Sequence, residues 1–158
     1  MTEVLVRPAR RSEARRLAEL LAEIAEERDS IASEPPIDLD ERSRAFAASI
    51  DGTIVAVGDG ELVGSLHIEP SRFGFGEIGM GLARPWRGRG VGSLLMAAAI
   101  EKARADGLHK LSLEVFPHNT AALALYRKFD FVEEGRRVRH YRRASGELWD
   151  ALLMGRSV

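Results

Sequence analysis

The stretch EIGMGLARPWRGRGVGSLL, residues 77–95, decides the fold. Its first part, residues 77–83, sets apolar side chains between Gly79 and Gly81 and reads as a strand that Pro85 ends. Its last residues open a helix, with Val91, Leu94, Leu95, Ala98 and Ala99 along one face as far as Ala105. Between them stands Arg87-Gly88-Arg89-Gly90-Val91-Gly92. Alternate glycines let the backbone turn tightly and bring its N–H groups close to a ligand. The helix mouth behind them leaves its first N–H donors unpaired and carries a partial positive charge. Arg84, Arg87 and Arg89 add full charges, so a pyrophosphate is the ligand that suits this loop. Two other phosphate loops do not fit. The G-x-G-x-x-G pattern meets Ser93 or Leu95 where its last glycine should stand, and no lysine follows as a P-loop requires. NAD and nucleoside triphosphates are therefore excluded.

The rest of the chain arranges itself around this crossover. A strand over residues 3–7 precedes a helix over 13–28, which Ser12 would cap and which carries Ala14, Leu17, Ala18, Leu21, Ile24 and Ala25 on one face. Pro35-Pro36 rules out helix through residues 29–40, and a shorter helix follows over 41–50. Strands at 54–57 and 62–68 flank Gly58-Asp59-Gly60, a hairpin signal. After the long helix come a buried strand at 110–116 and a helix that Asn119 caps and that ends near Asp130. A terminal hairpin, 131–143 with 147–154, turns at Ala144-Ser145-Gly146. The order β-α-α-β-β-β-α-β-α-β-β predicts a single α/β (α+β) domain over residues 1–158. Its mixed sheet of about seven strands has helices on both faces and one parallel pair made by the crossover.

Composition supports this and removes other classes. Apolar residues at 45% and charged residues at 30% suit a folded chain rather than a disordered one. There is no cysteine, which rules out disulfides, iron–sulfur ligation and a thiol nucleophile. Residues 1–83 hold 9 basic and 16 acidic side chains (−7), and residues 84–158 hold 14 and 8 (+6). That division suits a polyanion at one end and a cation at the other, or simply a solvated surface. The longest apolar run is too short to span a bilayer, and the basic N-terminus lacks a signal core, so a cytoplasmic location is the default expectation. Net charge near zero and few aromatics speak against nucleic acid as partner. His67, His109, His118 and His140 show no metal-ligand spacing, and no metal is expected.

The chain resembles the GNAT superfamily of N-acetyltransferases. The signature [RQ]-x-x-G-x-[GA] is met by Arg87, Gly90 and Gly92. A second, N-x-x-A-x-x-[LF]-Y-x-[KR]-x-G-F, is met by Asn119, Ala122, Leu125, Tyr126, Lys128 and Phe131, with Asp130 in the place of the glycine. Aspartate tolerates the left-handed backbone wanted there. The resemblance implies acetyl-CoA as cosubstrate, its pyrophosphate on Arg84, Arg87, Gly88, Arg89, Gly90, Val91, Gly92 and Ser93. The pantetheine would run along Leu82 and Ala83, near Asn119, Ala122, Tyr126 and Lys128. The family's parallel strands splay here, which Gly79 and Gly81 suit.

The reaction is attack of a neutral amine on a thioester, so one group must take a proton and another must support the thiolate. Without cysteine, direct transfer is favoured over an acetyl-enzyme. Tyr126 matches the family's acid. For the base, Glu114 aligns with the glutamate of ribosomal-protein alanine acetyltransferases and lies on what reads as a buried strand; Glu77, a water chain and His118 are the alternatives. The loop after the first helix and the final hairpin are where specificity should lie. The tail, Arg136 to Arg143 followed by Glu147-Leu148-Trp149-Asp150, resembles that of family members acting on amino acids or small amines, and its arginines, Arg139 among them, would hold an acceptor carboxylate. A protein N-terminus or lysine as acceptor, or a non-catalytic coenzyme-binding module, are the other readings. The resemblance also implies a homodimer through terminal strands.

Overall fold

A computed structural model describes residues 3–158. Seven strands form one sheet in the order β1-β2-β3-β4-β5-β7-β6. They are β1 (Val4–Pro8), β2 (Thr53–Gly58), β3 (Glu61–Pro70), β4 (Phe75–Leu82), β5 (Lys110–Val115), β6 (Val132–Arg142) and β7 (Leu148–Ser157). Every neighbouring pair is antiparallel except β4 with β5. The four helices are α1 (Ala14–Ala25), α2 (Leu39–Ala48), α3 (Val91–Ala105) and α4 (Thr120–Lys128).

Local chemistry accounts for most boundaries. Asp59 and Gly60 between β2 and β3 both take positive φ, 53° and 76°, as a two-residue hairpin turn demands. Asp38 accepts the Glu41 N–H at 3.1 Å and so starts α2 earlier than the apolar pattern alone suggests. Asn119 accepts from the Ala122 N–H at 3.2 Å and caps α4, and Asp130 at φ 65° ends it in the left-handed region. Ser12 does not cap α1. It sits inside a short 3-10 turn, Arg11–Glu13, where the Glu13 carboxylate instead accepts from the Arg10 N–H at 2.7 Å. Leu20, rather than Leu21, is the buried leucine of α1's last turns.

Two apolar layers cover the two faces of the sheet. On one face α3 and α4 press Val91, Leu95, Met96, Ala99, Leu123 and Tyr126 against Leu66, Leu111, Leu113, Val115 and Phe131. On the other, α1 buries Leu17, Leu20 and Ile24 against Val55 and Leu62. Completely burying one such aliphatic side chain contributes about 2 kcal/mol, so these layers hold α3 and α1 rigidly against β4 from opposite sides.

Candidate functional site

The site begins where a ladder stops. Pairing between β4 and β5 covers only Phe75 to Glu77 against Lys110 to Ser112. Yet β4 continues to Leu82 and β5 to Val115. Past Glu77 the strands part, and a cavity of about 680 Å³ occupies the gap. Its walls include Ile78, Gly79, Met80, Gly81 and Leu82 from β4 and Glu114, Val115 and Phe116 from β5 and its end. A Cβ on Gly81 would come 2.7 Å from the Ile24 Cδ1 of α1, so a larger residue there would push that side chain aside. The opening admits groups from both faces of the sheet, since Tyr126 of α4 and Glu114 of β5 line the same space.

At one end lies the glycine loop. Gly88 and Gly90 have φ of 74° and 83°, and Gly90 is the residue that introduces α3. A Cβ at either would meet nothing within 4 Å, so backbone sign alone, not crowding, requires glycine. Helical bonding begins with Leu94 N–H to the Gly90 carbonyl at 3.2 Å, leaving the amides of Val91, Gly92 and Ser93 ahead of it. Gly88, Gly90, Gly92 and Ser93 all border the cavity. Lys128 reaches from α4 to place its Nζ 3.0 Å from Ser93 Oγ, adding an ammonium beside the helix mouth. Open backbone, a helix N-terminus and that lysine make a donor set that fits a pyrophosphate.

The arginines behave differently from the sequence expectation. Arg87 is held by both oxygens of Glu27 at 2.7 and 2.8 Å, and its Nε and Nη2 also donate to the Leu82 carbonyl. Arg84 joins the same carboxylate at 3.3 Å, and Arg89 stacks over Trp86 at 4.8 Å. The hydrogen bond from Arg87 holds the Glu27 carboxyl below its usual range, against the opposing effect of burial. Two of the three guanidinium charges are therefore already paired. Ala83 donates its N–H to Val63 at 2.8 Å and lies outside the cavity wall, so only Leu82 of that expected pair borders the ligand space.

Tyr126 is buried, its ring 5.9 Å from that of Phe131. Burial pushes its hydroxyl up to about 12, so it remains protonated at any ordinary pH. Asn119 and Ala122 border the same cavity. Glu114 is not buried: its side chain keeps 35% of its exposure on the α1 face. Arg137 Nε donates to it at 2.6 Å, and the Tyr141 hydroxyl donates to its other oxygen. Glu77 is exposed at the last paired rung, at the apex of the gap rather than in the cavity wall.

The other end is built by His118, one of the alternatives for the base, by residues of the tail, and by Phe116, which the sequence did not single out. Phe116, His118, Tyr141 and Trp149 pack as an aromatic group, with His118 stacked on Phe116 at 5.7 Å and 4.7 Å from Trp149. His118 Nε2 lies 2.9 Å from the Asp29 carbonyl and 3.2 Å from its carboxylate. Arg143 is buried and pins the loop after α1, donating to the carbonyls of Ala32 at 3.0 Å and Ile31 at 3.2 Å. Of the tail arginines expected to hold an acceptor carboxylate, Arg139 sits at φ 49° away from the cavity wall, and Arg137 stands beside Glu114 and donates to it. Among the described residues no group of three acidic, histidine or cysteine side chains assembles to hold a metal.

Known proteins share this fold and parts of this sequence. The model of the acetyltransferase (GNAT) family matches residues 14–131. The L-amino acid N-acetyltransferase AaaT of Escherichia coli (strain K12) is 35% identical over 111 residues, 65% of this chain and 66% of that protein, just under two thirds of the latter's length. The crystal structure of ribosomal-protein-alanine N-acetyltransferase from Brucella melitensis superposes with a TM-score of 0.88 at 28% identity, covering 98% of this chain and 99% of that one. The structure of yncA from Salmonella typhimurium with its cofactor acetyl-CoA has the same fold, with a TM-score of 0.88 at 18% identity over 98% and 94% of the two chains. With the family model covering most of its length and the splayed strands in place, this chain belongs to the acetyltransferase (GNAT) family.

Proposed function

We propose that the protein transfers an acetyl group from acetyl-CoA directly to the primary amine of an amino acid or similar small molecule. The observation that carries this reading is the parting of β4 from β5 beyond Glu77, with a helix mouth at one end of the gap and a carboxylate at the other. Bound acetyl-CoA would supply the activated acetyl thioester, its phosphates against the amides of residues 91–93 and Lys128. Glu114, which borders the cavity, would take a proton from the acceptor ammonium, directly or through water. As the N–C bond forms and the C–S bond breaks, Tyr126 would give its proton to the departing sulfur, and the second proton shed by the nitrogen would return through water to the tyrosine oxygen; with its hydroxyl near 12, Tyr126 is protonated and ready to donate before the reaction. A small acceptor is supported by the likeness to the L-amino acid N-acetyltransferase AaaT. The likeness to the ribosomal-protein-alanine N-acetyltransferase structure keeps a peptide N-terminus as the second reading.

Thiol release from acetyl-CoA with pools of amino acids, polyamines and peptides tests this, and the cysteine-free chain adds no background. Release with amino acids is the expected result. Release with peptides alone moves the acceptor to the second reading, and no release despite coenzyme binding removes the proposal. Tyr126→Phe should lower kcat about 100-fold with little change in either KM, since the hydroxyl acts in the transition state.

A further inference from the structure

A defect in the last hairpin delivers two side chains to Glu114. Ladder rungs join Arg137 to Ala151 and Tyr141 to Trp149, so four steps along β6 answer two along β7. Residues 138–140 stand against residue 150 alone, an excess of two, and Arg139 takes φ 49° among them. In an uninterrupted ladder Arg139 would face Trp149, and Tyr141 would fall opposite residue 147, before β7 begins. Tyr141 would then stand about 7 Å farther along the sheet, two residues of strand rise, out of reach of Glu114. The bulge thus exchanges an arginine for a tyrosine at the cavity rim. Bulges beside active sites commonly re-aim a side chain in this way.

Asp150 holds the bulge. Its carboxylate accepts the Arg139 N–H at 2.7 Å and Arg136 Nε at 2.6 Å. Those bonds, the main-chain one first, keep its carboxyl below the usual range, so it is charged at neutral pH. On the cavity side, Tyr141 and Arg137 take one oxygen each of Glu114, and buried Ala151 is the small residue that lets them pass over β7. The hydrogen bond to Glu114 is also the chief reason the Tyr141 hydroxyl is pushed up to about 12, which keeps it a donor.

We propose that Asp150 is a positioning residue: by fixing this bulge it places Tyr141 and Arg137 on Glu114 and so sets the orientation of the carboxylate toward the acceptor amine. The inference rests on the reading of Glu114 as the acceptor-side carboxylate. Asp150→Ala should lower kcat/KM for the acceptor about tenfold while coenzyme affinity by calorimetry stays unchanged, and Asp150→Asn, whose amide oxygen still accepts the Arg139 N–H, should stay within about threefold. The decisive arm is a double-mutant cycle. In a Glu114→Gln background, Asp150→Ala should add less than about twofold, because the group it positions is gone. A full tenfold loss in that background, or none in the native one, overturns the proposal. Should Asp150→Ala fail to fold, Tyr141→Phe, a single-atom change, takes its place in the cycle with the same two outcomes. Full activity of Glu114→Gln alone sinks the reading of Glu114 itself, whereas an impaired Glu114→Gln beside a harmless Asp150→Ala sinks only the positioning role.

Discussion

The two ends of the cavity are built by opposite means. The glycine-loop end is nearly contiguous, with residues 84–93 supplying its amides, glycines and arginines and Lys128 added from α4. The other end gathers pieces from across the chain, with Arg143 bonding Ile31 and Ala32, His118 bonding Asp29, and Tyr141 bonding Glu114. The first relies on main chain, whose direction local sequence sets. The second relies on side chains that only the folded sheet brings together. A ligand part common to many reactions suits the first construction, and a variable acceptor suits the second.

The sharpest way to break that contrast is Arg143→Ala. Its guanidinium is buried, lies 4.3 Å over Trp149 and 5.4 Å from Phe116, and binds two loop carbonyls. Removing it strands those carbonyls and leaves Glu34, 3.7 Å away, without its closest buried cation. The expected cost is about 3 kcal/mol of stability by denaturant unfolding. KM for the acceptor should rise while coenzyme affinity holds. An equal loss of coenzyme affinity would mean that the two ends are one cooperative unit.

Gly90→Val attacks the other end. Valine at φ 83° is strained by about 2 kcal/mol, and relief of that strain tilts the first amides of α3 away from the phosphates. Coenzyme affinity should weaken about 30-fold by calorimetry, with the Arg143-held loop still protected in hydrogen exchange. Unchanged affinity would show that the loop's amides are not the grip.

This contrast also explains what could be read in the sequence. The glycine loop, the cap at Asn119, the left-handed Asp130 and the parallel pair were legible because each follows from backbone preferences within a few residues. Arg87 shows where that ends: its type and place were readable, but its partner Glu27 lies 60 residues away, so pairing in place of a free charge was invisible. Arg139 fails for a related reason. A strict alternation along β6 puts it over the site, and only Asp150, on the neighbouring strand, creates the bulge that brings Tyr141 there instead. Glu114 was expected on a buried strand, but its alternate residues Leu113 and Val115 are buried while it faces the gap, because β4 has already left.

Glu27 bridges the comparison, since it lies in the turn after α1, two residues before Asp29, and holds Arg87 of the glycine loop. Its folded carboxyl lies below the unfolded value of about 4.3, chiefly through the Arg87 hydrogen bond. A depressed carboxylate contributes stability in full above the unfolded value and loses it as pH falls through the lowered folded one. Glu27→Gln should therefore be less stable than the native chain by about 1 kcal/mol at pH 7, a bidentate but part-exposed pair. Thermal unfolding of both proteins should show the gap closing below about pH 4, as the native carboxylate takes its proton. A gap constant from pH 7 to 3 would assign the loss to packing of the side chain rather than to its charge, and would leave the glycine loop held by its own backbone alone.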